Sequence, residues 1–126
     1  MDRKPVIKTG IVRIWKALFH SLDGLGFAIR YEAAFRQELY KIAVLLVVLW
    51  FLPLSYEWKG LLLFATLSVL VVELLNSAIE TVVDLASPEF HDLAKRAKDL
   101  GSAAVMVSLI LAGLLWFGAV LTMFMG

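Results

Sequence analysis

The chain has 126 residues, 61% of them hydrophobic, with a formal net charge of +1 and a mean hydropathy of +0.85. A soluble domain of this size is close to half apolar, and the excess here gathers into runs, so the chain reads as a membrane protein of one domain, residues 1–126. It has no cysteine, which excludes disulfides, thiolate catalysis and cysteine-held zinc, and His20 and His91 alone cannot build a histidine-rich metal site.

Residues 1–8 form a polar, basic tail. From Ile11 the apolar residues Ile14, Trp15, Leu18, Phe19, Leu22 and Leu25 recur at three- and four-residue steps, flanked by Arg13 and Lys16. This pattern predicts an amphipathic helix over about 11–30 that lies on a membrane surface. Asp23-Gly24-Leu25-Gly26 reads as a bend. The first strong apolar run starts near Ile42, too late for a cleavable signal peptide. Counted from Lys41 that run is too short to cross a bilayer, so a first span over about 33–54 begins near Ala33 and carries Arg36, Glu38 and Lys41 at headgroup level. Pro53 ends it, and Trp50, Tyr56 and Trp58 suit an interface. A second span covers about 60–83 and a third about 102–125, the third without a charged residue. Between them Ser87-Pro88-Glu89 has the order of an N-cap, a first-turn proline and a first-turn acid, and predicts a short helix towards Lys98. The small residues Gly101, Ser102, Ala103 and Ala104 favour close helix packing.

Charge sets the orientation. Arg3, Lys4, Lys8, Arg13, Lys16, Arg30, Arg36 and Lys41 precede the first span, Lys95, Arg96 and Lys98 lie between the second and third, and the C-terminus carries none. The positive-inside rule puts the N-terminus and the second connection in the cytoplasm, and the first connection and C-terminus outside.

The second span contains Glu73, Asn76 and Glu80. A carboxylate in a bilayer is costly and by default marks a site. With Asp84 these residues fall on one helix face, as a stripe about 16 Å long. A polar network that only fixes helix packing is the bland alternative. The stripe has no cation of its own, so its acids need protons, a metal ion or a partner from another segment. Glu32 before the first span, and Lys98 and Asp99 before the third, stand at the same membrane level. Carboxylates with an asparagine suit a hard cation such as Mg²⁺, which prefers oxygen ligands and usually arrives with phosphate. A lysine beside them holds phosphate. These are parts for phosphoryl transfer. Gly24-Leu25-Gly26 is no phosphate loop, because no Gly-Lys-Ser/Thr follows it.

The segment Glu73-Leu74-Leu75-Asn76-Ser77-Ala78-Ile79-Glu80-Thr81-Val82-Val83-Asp84 resembles the signature of the prokaryotic diacylglycerol kinase family. Glu32-Ala33-Ala34-Phe35-Arg36-Gln37-Glu38 is similar to that family's first segment, and Arg96-Ala97-Lys98-Asp99-Leu100-Gly101-Ser102 to its third. The resemblance runs from about Arg13 to the C-terminus. It implies an all-α homotrimeric bundle of three-span subunits, each with an N-terminal surface helix, in the bacterial inner membrane. It implies active sites shared between subunits and an ATP-dependent conversion of diacylglycerol to phosphatidic acid. By that resemblance Glu73 is the catalytic base with Asn76 beside it, and Glu32 and Glu80 hold the Mg²⁺ that bridges the ATP phosphates. Lys98, Asp99, Glu89, His91 and Arg13 match nucleotide-site positions, while Arg13, Glu38 and Ser102 match positions near the lipid. His20 and Asp23 depart from the pattern, standing where enterobacterial members have tyrosine and a basic residue. Two other readings remain beside this one. Ser87-Pro88-Glu89 and Asp84-Leu85 are similar to undecaprenol kinases, and a helical assembly or channel subunit would use the stripe for structure alone.

Overall fold

A computed structural model describes residues 10–125, and among these every regular element is an α-helix. The helices are α1 (Ile11–Tyr31), α2 (Ala33–Phe51), α3 (Tyr56–Ala86) and α4 (Asp92–Met125). The chain divides into two units, Met1–Arg36 and Gln37–Gly126. The basic tail expected over residues 1–8 lies outside the described residues.

In the first unit α1 keeps its apolar stripe exposed, from Ile11 through Trp15 and Phe19 to Leu25. The Trp15 and Phe19 rings meet edge to face at 5.6 Å, one turn apart. No bend occurs at Gly24 or Gly26. The apolar period continues through Leu22, Leu25 and Ile29, and the cost of about 1 kcal/mol per helical glycine does not break it. The break comes at Glu32, whose backbone is extended. Arg36 secures it. Its guanidinium donates to the Ile29 and Arg30 carbonyls at 3.0 and 2.8 Å, placing a cation on the negative end of the α1 dipole.

In the second unit α3 and α4 pack along each other. Both are long and apolar enough to cross a membrane. Nineteen-residue α2 carries Arg36, Glu38 and Lys41 in its first half and stops at Phe51, two residues before Pro53. Ser55 starts α3 by accepting the Trp58 N–H at 3.2 Å, so the helix begins before its apolar stretch. At this end Leu49 of α2, Leu62 of α3 and Ala119 of α4 form a buried cluster under Leu46, Leu54, Trp58, Leu115 and Trp116. The Trp116 indole N–H donates to Thr66 Oγ1 at 3.0 Å. Thr66 in turn donates to the Leu62 carbonyl at 2.6 Å, so a hydroxyl only 3% exposed has both bonds.

The Ser87-Pro88-Glu89 segment starts no helix. Ser87 closes α3, its N–H donating to the Val83 carbonyl at 2.8 Å. Its hydroxyl donates to the Glu89 carbonyl at 2.9 Å. His91 caps α4 instead. Its carbonyl accepts from the Lys95 N–H and its Nδ1 from the Leu93 N–H, both at 3.0 Å. The short helix expected towards Lys98 and the third apolar stretch are therefore one continuous α4, because no proline or positive-φ residue interrupts 92–125.

Candidate active site

The stripe on α3 forms as one face and becomes more open towards the C-terminal end of the helix. Glu73 is buried, Asn76 and Glu80 are half-buried, and Asp84 is exposed. The four-residue step from Asn76 to Glu80 lets the amide Nδ2 donate to Glu80 Oε1 at 3.3 Å. Asn76 Oδ1 is buried and has no hydrogen-bond donor among the described residues.

Cations reach the stripe from the neighbouring helices. Lys98 of α4 pairs with Asp84 at 2.6 Å and lies within electrostatic reach of Glu80. The hydrogen bond that Lys98 donates to the Asp84 carboxylate raises the Lys98 pKa above its usual range. Lys41 of α2 pairs with Glu38 at 2.9 Å and lies within electrostatic reach of Glu73. The cations near these acids, Lys41 and Lys98, thus come from α2 and α4.

Beyond the end of the stripe is a cavity of about 340 Å³ between the α3 C-terminus, the 87–91 connection and the first turns of α4. Asp84, Ser87, Glu89, His91, Lys95, Lys98 and Asp99 line it. Four residues singled out from the sequence, Glu89, His91, Lys98 and Asp99, are brought together here. Because His91 Nδ1 accepts a backbone N–H, the neutral ring carries its proton on Nε2 as a free donor. Lys95 is the member that sequence reasoning missed. It pairs with Asp99 at 2.6 Å, and its spacing four residues ahead of that acid was the available signal. A second cavity, about 260 Å³, runs between α2, α3 and α4. Glu38 and Lys41 stand at one end of it, with Thr66, Val69, Ala112 and Trp116 along its walls. A larger one, about 660 Å³, lies between α2 and α3 at the Trp50–Tyr56 end. It contains no acid and is remote in sequence from the stripe, so its size does not make it the site.

The remaining predicted residues are not drawn into these cavities. Ser102 is exposed on α4, one residue past buried Gly101. Arg13 is exposed on α1, and Glu32 sits half-buried after it. Both belong to the unit Met1–Arg36. Among the described residues no group of three or more His, Asp and Glu side chains closes on a point that could hold a metal.

The model of the family described as prokaryotic diacylglycerol kinase matches residues 19–120. The chain belongs to the prokaryotic diacylglycerol kinase family. It is 44% identical over 108 residues to a diacylglycerol kinase of Escherichia coli strain K12, covering 86% of this chain and 88% of that one. It is 47% identical to one of Helicobacter pylori, covering 85% and 84%. A third, from Pseudomonas aeruginosa, is 46% identical, with 86% and 89% covered. Membership makes the chain a kinase and, with its apolar helices, a bacterial membrane protein. All of α2, α3 and the 87–91 connection fall inside the matched region.

Proposed function

We propose that the chain transfers the γ-phosphoryl group of ATP to the free hydroxyl of diacylglycerol, giving phosphatidic acid and ADP, at the cytoplasmic surface of the inner membrane. The observation that carries this reading is the face Glu73, Asn76, Glu80 of a membrane-length helix, bounded by Lys98 from α4. A buried carboxylate on such a helix suits a lipid hydroxyl, while the polar cavity at the helix end suits a nucleotide.

In this reading Glu73 takes the proton from the lipid hydroxyl as it attacks the γ-phosphorus and the bond to the β-phosphate oxygen breaks. Asn76 steadies the carboxylate pair on either side of it. Lys98 and the His91 Nε2–H meet phosphate oxygens, with Glu89 and Asp99 completing the nucleotide pocket, and Arg13 is a further basic residue assigned to nucleotide and lipid. Glu38 and Ser102 stand by the lipid. Glu32 and Glu80 would hold Mg²⁺. The donor set fits that ion, which takes one or two protein carboxylates and keeps its other positions for water and phosphate. When bound it neutralises phosphate charge. Most of the acceleration then comes from positioning and charge neutralisation.

Three spans cannot screen the stripe from lipid on every side, which supports a homotrimer of three-span subunits with α2 as the first span. A reporter fused after Gly126 is expected to be periplasmic and one inserted near Asp92 cytoplasmic. The decisive assay is ATP-dependent label transfer by the purified protein to diacylglycerol, to undecaprenol and to no added lipid. Label in phosphatidic acid supports the proposal. Preferential labelling of undecaprenol replaces the substrate, and no transfer to either lipid returns the stripe to a structural role.

A further inference from the structure

Gly101 lies buried on α4 against Asn76 of α3. A Cβ built at Gly101 would collide with Asn76 Oδ1 and come within 3.3 Å of its Cγ. Other glycines of α4 differ. Gly113 has nothing within 4 Å of that position, and at Gly118 the nearest atom is Trp58 Cη2 at 3.5 Å, an ordinary contact. Gly101 has ordinary helical φ, since the one positive-φ residue among those described is Gly10. Space and not backbone freedom is therefore what the glycine provides.

The Cα hydrogen that stands where a side chain would begin points at Asn76 Oδ1. This is a weak C–H···O contact of the kind found where helices approach closely. It accounts for an amide oxygen that is buried without an N–H or O–H donor. It also fixes the amide's sense. With Oδ1 seated on α4, Nδ2 faces Glu80 Oε1 at 3.3 Å. The opposite sense would set an amide oxygen against a carboxylate oxygen.

We infer that Gly101 is a positioning residue for phosphoryl transfer: the space beside its Cα seats the Asn76 amide so that Nδ2 holds the Glu80 carboxylate. Any larger residue at 101 displaces the amide and releases Glu80. The inference rests on the proposed roles of Asn76 and Glu80 and adds a third residue that acts only through them.

The test is a cycle of Gly101→Ala, Asn76→Ala and the double variant, read for kcat and for thermal midpoint in detergent, with Gly118→Ala as a packing control. Gly101→Ala is expected to lower kcat about 10²-fold, the scale of a misplaced catalytic constellation, and to lower the midpoint. In the Asn76→Ala background the same methyl group enters vacated space, so it costs no further kcat and does not lower the midpoint. Gly118→Ala keeps wild-type kcat. Should Gly101→Ala alone fail to fold, the double variant still folds if the inference holds, and folding is its readout. Equal losses from Gly101→Ala in both backgrounds, or near-normal kcat in Gly101→Ala, overturn the inference. Near-normal kcat in Asn76→Ala overturns instead the proposed role of Asn76, and is told apart because it does not depend on residue 101.

Discussion

The two ends of the α3–α4 pair are made from similarly apolar helices yet are held together by different means. At the Trp58 end, Leu62, Ala119 and Leu49 interlock, and the polar groups present, Thr66 and the Trp116 indole, satisfy each other. At the Asp84 end the contacts are a glycine, an amide whose oxygen has no N–H or O–H donor among the described residues, and carboxylates shared with lysines from other helices. A buried polar group without a partner is costly, so a chain selected for stability alone would not keep one. In the proposed reading the contrast separates a scaffold from a site, since local rules are broken where function requires it.

The first way to break this comparison is Glu80→Gln. It keeps an acceptor for Asn76 and removes the charge. Turnover is expected to be lost and Mg²⁺-dependent nucleotide binding weakened, while helix content by circular dichroism stays unchanged. Normal turnover would remove the metal assignment.

Lys98→Met is expected to raise the KM for ATP about tenfold to a hundredfold, the scale of a hydrogen bond to a charged group. Asp84 and Lys98 are largely open to solvent, so thermal stability should move little. The pH dependence has a definite sign. A lysine whose folded pKa is raised contributes fully below its unfolded value and loses that contribution only as pH rises through the raised one. The Lys98 contribution to the KM for ATP should therefore be flat from neutrality to about pH 9. A wild-type KM that climbs within that window while Lys98→Met stays level would contradict the assignment.

At the other end the effects should fall on stability. Leu62 has no exposed surface, and Leu62→Ala should cost about 2 kcal/mol, the low end for a buried leucine, because lipid replaces water as the alternative solvent. The smallest effect is expected from Thr66→Val. It strands the Trp116 N–H and should cost about 1 kcal/mol by reversible unfolding in detergent. Both variants should keep kcat at low temperature. A loss of kcat without loss of stability in either one would show that the scaffold end takes part in chemistry.

Much of this division was legible before any coordinates. Period and run length give α1 and the apolar segments, and an acid inside an apolar run announces the stripe. Glycine and proline punctuation misled. Gly24 and Gly26 stay helical because the amphipathic face of α1 outweighs their propensity, and Ser87-Pro88-Glu89 yields to a histidine cap four residues later. What composition could not reveal is pairing between helices. That Lys98 faces Asp84, that Lys41 lies near Glu73 and that Gly101 abuts Asn76 all depend on how helices rotate against each other. A spacing rule within one helix contains no such information.

The central claim is that the buried acid of the stripe does chemistry, and Glu73→Gln tests it most directly. ATP affinity and single-turnover label transfer to diacylglycerol would be measured on the same purified sample. The account predicts ATP binding close to wild type and a transfer rate lower by about 10²–10⁴-fold, the usual contribution of a positioned base. Lost ATP binding with an undiminished rate at saturating ATP would contradict it and move Glu73 to the nucleotide site.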